Sequence, residues 1–129
     1  MISQQYITEI KAELNNNKLI IKIEIIKERA IPEQGYFRAR LTLNNGDFLE
    51  VAEFFKVENE QCLTITYRYQ WMNPSQTQLK KRWDNVEHFP NLPNFPHHVH
   101  VGDEFIVKPS ESKNILQILT LIEEEIQNA

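Results

Sequence analysis

Residues 36–57, YFRARLTLNNGDFLEVAEFFKV, decide the fold. From Tyr36 to Leu43 the residues alternate, with Phe37, Ala39, Leu41 and Leu43 on one side and Tyr36, Arg38, Arg40 and Thr42 on the other, which is a strand's period of two. Asn45-Gly46 comes next. That pair readily takes the two positive φ values of a type I′ turn, so it predicts a tight hairpin. The partner strand runs from Phe48 to about Val57, with Leu49, Val51, Phe55 and Val57 in phase. Glu53 breaks the apolar phase, and a bulge or an exposed end is expected there.

Outward from the hairpin, the same period recurs. Toward the N-terminus, Pro32 to Gly35 make a turn, and Leu19 to Glu28 read as a strand with Ile21, Ile23 and Ile25 on one face and Lys22 and Glu24 on the other. Ahead of it, Ser3 is placed to cap a helix whose apolar stripe is Tyr6, Ile7, Ile10 and Leu14, ended by Asn15-Asn16-Asn17. Toward the C-terminus, Leu63 to Trp71 alternates, Asn73-Pro74-Ser75-Gln76 turns, and Gln78 to Asp84 returns with Leu79 and Trp83 opposed to Lys80, Arg82 and Asp84. Pro90, Pro93 and Pro96 then remove donors every three residues and predict irregular chain. Phe105-Ile106-Val107 is a short apolar piece, and Ser110 or Ser112 is placed to cap a last helix with the stripe Ile115, Ile118, Leu119, Ile122 and Ile126. The expected architecture is α+β: a five-stranded antiparallel meander, both terminal helices on one face, and a Pro/His-rich loop free to fold against the other.

A chain of 129 residues, 41% hydrophobic, sustains one core and reads as a single domain, 1–129. No apolar run approaches the about 18 residues that span a bilayer, and the N-terminus lacks the pattern of a signal peptide, so a cytoplasmic protein with no membrane partner is expected. The single Cys62 fits a reducing compartment and reads as a small core residue. A net charge of −4 argues against nonspecific coating of duplex nucleic acid but leaves room for a local basic groove that takes one RNA or DNA strand.

Chemistry concentrates between Thr66 and Val101, which hold all four histidines and both tryptophans. This stretch has Arg68, Lys80, Lys81 and Arg82 against Asp84 and Glu87, whereas the rest of the chain is acidic. One reading is a small metal-independent ribonuclease. Attack of a 2′-hydroxyl on the adjacent phosphorus needs a base, an acid and a cation. His88 with His97, His98 or His100 would supply the first two, Arg68 or Arg82 the third, and Asp84 would orient a histidine. Tyr69, Trp71 and Trp83 would stack on bases, and Arg38 and Arg40, on the uncovered face, would help bind the substrate. Cofactors are then none. The alternative is a zinc or nickel site in which His97 and His100, or His98 and His100, act with Asp84; His98 and His100, two apart in extended chain, project to one side. The structural readings stand beside these: alternating aromatics as core, Asp84-Asn85 as an Asx turn closing a strand, and Arg68 facing Asp84 across the sheet.

The run Tyr67-Arg68-Tyr69, then Arg82-Trp83-Asp84-Asn85, His88, Pro90 and Phe95-Pro96-His97-His98-Val99-His100-Val101, resembles the TumE-like proteins, toxin components of bacterial and archaeal toxin–antitoxin pairs. The order of elements is similar over nearly the whole chain. Two positions depart from the pattern: Glu87 and Phe89 flank a lone His88 where the family has Pro-His-His-Pro, and Val99 stands where a lysine is common. The resemblance implies a cytosolic toxin whose partner is a cognate antitoxin with a helix-turn-helix domain. A different class of function is also compatible with the residues: a non-catalytic domain whose open sheet face and histidine loop contact a protein partner or form a homodimer.

Overall fold

The computed structural model describes residues 1–128. Its elements are α1 (Ile2–Asn16), β1 (Ile20–Ile31), β2 (Gln34–Leu43), β3 (Phe48–Glu58), β4 (Gln61–Met72), β5 (Leu79–Asp84), β6 (His98–Val101), β7 (Val107–Pro109) and α2 (Ile115–Gln127). The strands form one antiparallel sheet in sequence order, β1 to β7. The α+β meander expected from the period of two is therefore present, with seven strands rather than five. The two extra strands, β6 and β7, arise in the stretch read as irregular.

The helix stripes and one face of the sheet make the core. Ile7, Ile10, Leu14, Ile115, Ile118 and Ile122 pack with Phe37, Leu41, Val51, Phe55, Tyr69 and Trp83, all buried. Burying these side chains supplies the main folding drive, about 1.5–3 kcal/mol for each large one. The opposite face of β1–β4 is left to solvent and carries Lys27, Arg38, Arg40, Glu50 and Arg68.

Several local expectations change. The α1 N-cap is Met1, and Ser3 is instead buried, its hydroxyl donating to the Ile31 carbonyl at 2.5 Å. The α2 cap is Asn114, which forms a reciprocal capping box with Gln117, and not Ser110 or Ser112. The hairpin at Asn45-Gly46 is real, but only Gly46 has positive φ, at 90°. The Gly46 N–H donates to the Leu43 carbonyl and the Leu43 N–H to the Asp47 carbonyl, the pattern of a type I turn with a glycine bulge. Two successive positive φ values, 50° and 61°, occur instead at Asn59-Glu60, which joins β3 to β4.

Bulges account for three of the exposed isoleucines. Ile21 and Ile26 in β1 and Ile65 in β4 have no ladder partner; each shifts the register by one residue, and in β1 the second bulge restores the phase that the first displaced. Ile21 is consequently 67% exposed, and Thr64 rather than Ile65 faces inward. Glu53 stays in phase and enters the core at 1% exposure. Its carboxylate accepts from the Tyr6 hydroxyl at 2.8 and 3.0 Å, the Thr64 hydroxyl at 2.9 Å and the Ile115 N–H at 3.0 Å, which fastens both helices to β3.

Candidate functional site

The β4–β5–β6 ladders assemble the site. Asp84 pairs with Arg68 on one side and His98 on the other, and Arg82 pairs with Gln70 and His100. Directly paired residues share a face, and alternate residues return to it, so Arg68, Arg82, Asp84, His98 and His100 all stand on the face the helices leave open. The loop 85–97 folds over the β5–β6 end of that face. The Phe89 ring lies edge-on 5.0 Å from His98 and 6.0 Å from His100, and Asp84, His98 and His100 are only 3%, 2% and 5% exposed.

Each polar atom of this cluster has a definite role. His98 Nδ1 lies 2.9 Å from the Pro96 carbonyl and His100 Nδ1 2.8 Å from the Glu104 carbonyl. A carbonyl only accepts, so both Nδ1 atoms carry the hydrogen and both Nε2 atoms of the neutral rings present a lone pair. Burial pushes the His100 imidazole down from its ordinary range, which favours that neutral form. His98 Nε2 lies 2.8 Å from Asp84 Oδ1, off the hydrogen-bonding direction, so this buried nitrogen has no hydrogen-bond partner. His100 Nε2 is 3.6 Å from Asp84 Oδ2. Asp84 also accepts from the Val86 N–H at 3.1 Å, the Asx turn expected at the end of β5, and from Arg82 Nε at 3.3 Å. The Arg82 guanidinium reaches on to Glu104 at 3.0 Å.

The remaining residues singled out from the sequence fall elsewhere. His97 is on the helix side of the sheet, its Nδ1 3.0 Å from the Tyr67 hydroxyl, and burial lowers its pKa. His88 is exposed on the loop with its ring edge-on to Phe89. Tyr69, Trp71 and Trp83 are buried on the helix side, where they pack as core and cannot stack on a base. The Tyr69 hydroxyl donates to the Lys113 carbonyl, and the Trp71 ring N–H to Asp47. Arg38 and Arg40 share Glu50 at 3.1 and 3.0 Å. Arg68 is exposed, donates to Gln70 Oε1 at 2.6 Å, and among the described residues pairs with no carboxylate.

Sequence reasoning misses Phe89 as the cover, Glu104 as the second anchor, and Tyr36 and Phe54 as the aromatics of the open face. The available signal is the outward phase of Tyr36 and Phe54, opposite to Phe37 and Phe55. These two side chains divide two adjoining hollows. One, of 470 Å³, is lined by Ile26, Lys27, Arg29, Ile31, Tyr36, Arg38 and Phe54 among others. The next, of 240 Å³, runs past Ala52, Thr66 and Arg68 to Asn85 and Val86, the two residues directly after Asp84. The lining of the two includes four cationic side chains and no carboxylate.

Among the described residues no helix is long and apolar enough to cross a membrane. No curated protein and no solved structure matches the chain. A family profile does: the one described as Toxin TumE covers residues 10–128, from the middle of α1 through α2, and so takes in the whole sheet, the covering loop and the Asp84 cluster. With nearly its full length matched, the chain belongs to the Toxin TumE family.

Proposed function

We propose that this chain is the toxin of a toxin–antitoxin pair, neutralised by an antitoxin encoded beside it, and that it acts in the cytoplasm on a single RNA strand laid across the open sheet face and cut beside Asp84. One observation carries the substrate class: the groove from Ile26 to Val86 has Lys27, Arg29, Arg38 and Arg68 along it, Tyr36 and Phe54 within it, and no acidic residue in its lining, on a chain whose net charge is −4. Cations that track a backbone and aromatics on which bases stack are the means by which single strands are held without regard to sequence, at about 1–3 kcal/mol per stacked base. The groove ends at the turn directly after Asp84, so a strand lying in it brings a phosphodiester to the Asp84 cluster. For the antitoxin, a helix-turn-helix protein is the expectation.

A non-catalytic reading draws on a different observation, the closure of Phe89 over His98 and His100. Inducible expression in bacteria separates the two. Under the RNA reading, expression arrests growth, co-expression of the neighbouring reading frame restores it, and D84N abolishes the arrest. Arrest that survives in folded D84N assigns toxicity to binding alone. Normal growth at verified soluble expression removes the toxin role in that host.

A further inference from the structure

We propose that Asp84, His98 and His100 form the binding site of one divalent transition-metal ion of the zinc and nickel class. One ligand atom from each lies within 4.8 Å of the others. Two ligand atoms about 2.1 Å from a common ion are about 3.0–3.4 Å apart at right or tetrahedral angles; His98 Nε2 stands 2.8 Å from Asp84 Oδ1 and His100 Nε2 3.6 Å from the other oxygen, Oδ2, so each imidazole faces its own oxygen of one carboxylate at close to that spacing.

With both rings neutral, the hydrogen bonding leaves no closed network among the three. Both Nδ1 hydrogens are committed to backbone carbonyls, at Pro96 and Glu104. At the centre are left two imidazole lone pairs against a carboxylate, acceptors facing acceptors. Val86 N–H and Arg82 Nε donate to the Asp84 oxygens, but no donor reaches the buried His98 Nε2, whose near neighbour is the Asp84 Oδ1 acceptor at 2.8 Å. An unpaired buried acceptor is destabilising, and a cation at this point satisfies all three groups at once. A backbone carbonyl held by Nδ1–H is also the usual orienting partner of a metal-ligating histidine, because it fixes the tautomer and the ring plane.

The fold holds the ligands rigidly. His98 and His100 alternate on β6, and Asp84 faces His98 across the ladder, so none of the three depends on a loop rotamer. Two imidazoles and one carboxylate suit zinc, nickel, cobalt or iron(II) and not the oxygen-seeking magnesium or calcium. Three protein ligands are the count of a catalytic rather than a structural zinc site.

The inference deepens the RNA reading by naming the cation at the same centre, and its test does not read RNA cleavage. The tag-free full chain, stripped with chelator, is titrated with Zn²⁺ by calorimetry, and its histidine-ring ¹H–¹⁵N spectra are recorded at each step. The expected result is one saturable equivalent, Nε2 shifts at His98 and His100 with His88 and His97 unmoved, and binding weakened by at least about tenfold in D84N and H100Q. Absence of saturable binding overturns the site, as do shifts centred on His88 or His97, or undiminished affinity in D84N. If the variants do not fold, the ring shifts of the unsubstituted chain decide alone. Zinc binding without RNA cleavage upholds the site and removes the RNA reading; RNA cleavage without zinc binding does the reverse.

Discussion

Asp84 lies between Arg68 and His98, paired with the first across β4–β5 and with the second across β5–β6, its Oδ1 2.8 Å from His98 Nε2. Arg68 is exposed at the end of the basic groove, whereas His98 is sealed under Phe89. One carboxylate thus joins an open, cationic surface to a closed cluster of lone pairs.

Arg68 marks the open side of that relationship. R68E places a negative charge where the RNA reading needs a phosphate to sit. Single-stranded oligoribonucleotide binding should weaken at least about tenfold, or about 1.4 kcal/mol. Growth arrest should be lost, while the melting temperature moves by no more than an exposed substitution of about 0.5 kcal/mol produces. Unchanged binding at low salt would place the RNA elsewhere.

The two hairpins should respond with opposite signs. Gly46 at φ 90° has ordinary room for a Cβ, 3.5 Å from Pro74, so G46V is opposed by backbone conformation rather than by a clash and should destabilise by about 1 kcal/mol or more. Glu60 holds φ 61° without being glycine. E60G should stabilise by up to about 1 kcal/mol, because relief of left-handed strain exceeds the freedom glycine adds to the unfolded chain. Thermal melts of the two variants check both signs.

Glu53 predicts a pH dependence. Burial holds its carboxyl above the usual range, against the lowering effect of hydrogen bonds from the Ile115 N–H, Tyr6 and Thr64. A carboxyl whose pKa is higher folded than unfolded contributes stability in full below its unfolded value of about 4.3, and loses it as pH rises through the folded value. The melting-temperature advantage of the parent over E53Q should therefore be greatest near that lower limit and shrink as pH rises. An advantage that grows with pH would mean the hydrogen bonds outweigh burial.

The strands of the meander are legible because Phe37 to Leu43 and Tyr67 to Trp71 keep a strict period against one covered face. Bulges at Ile21 and Ile65 carry no mark in the sequence, so Ile21, and Leu63 and Ile65 in β4, are read onto the wrong face, whereas Ile23 and Ile25 are read correctly. Glu53 looks like a break because its partners, Tyr6 and Ile115, are far away in the chain. β6 is hidden for a different reason: its outward positions are His98 and His100 rather than apolar residues, and three prolines precede it. That His98 and His100 share a side is readable from their spacing, but the place of Asp84 beside them is not, since it depends on the β5–β6 pairing. Nor is their burial, which depends on Phe89 crossing back over the sheet. Tyr69, Trp71 and Trp83 have the composition of a base-stacking surface, and only the side chosen by the helices makes them core.

RNA cut beside Asp84 is checked by incubating purified chain and folded D84N with a labelled single-stranded RNA and mapping the cleavage products. Discrete products should form with the unsubstituted chain and none with D84N. Intact RNA in both, under conditions where the unsubstituted chain binds the RNA and arrests growth in cells, would contradict it.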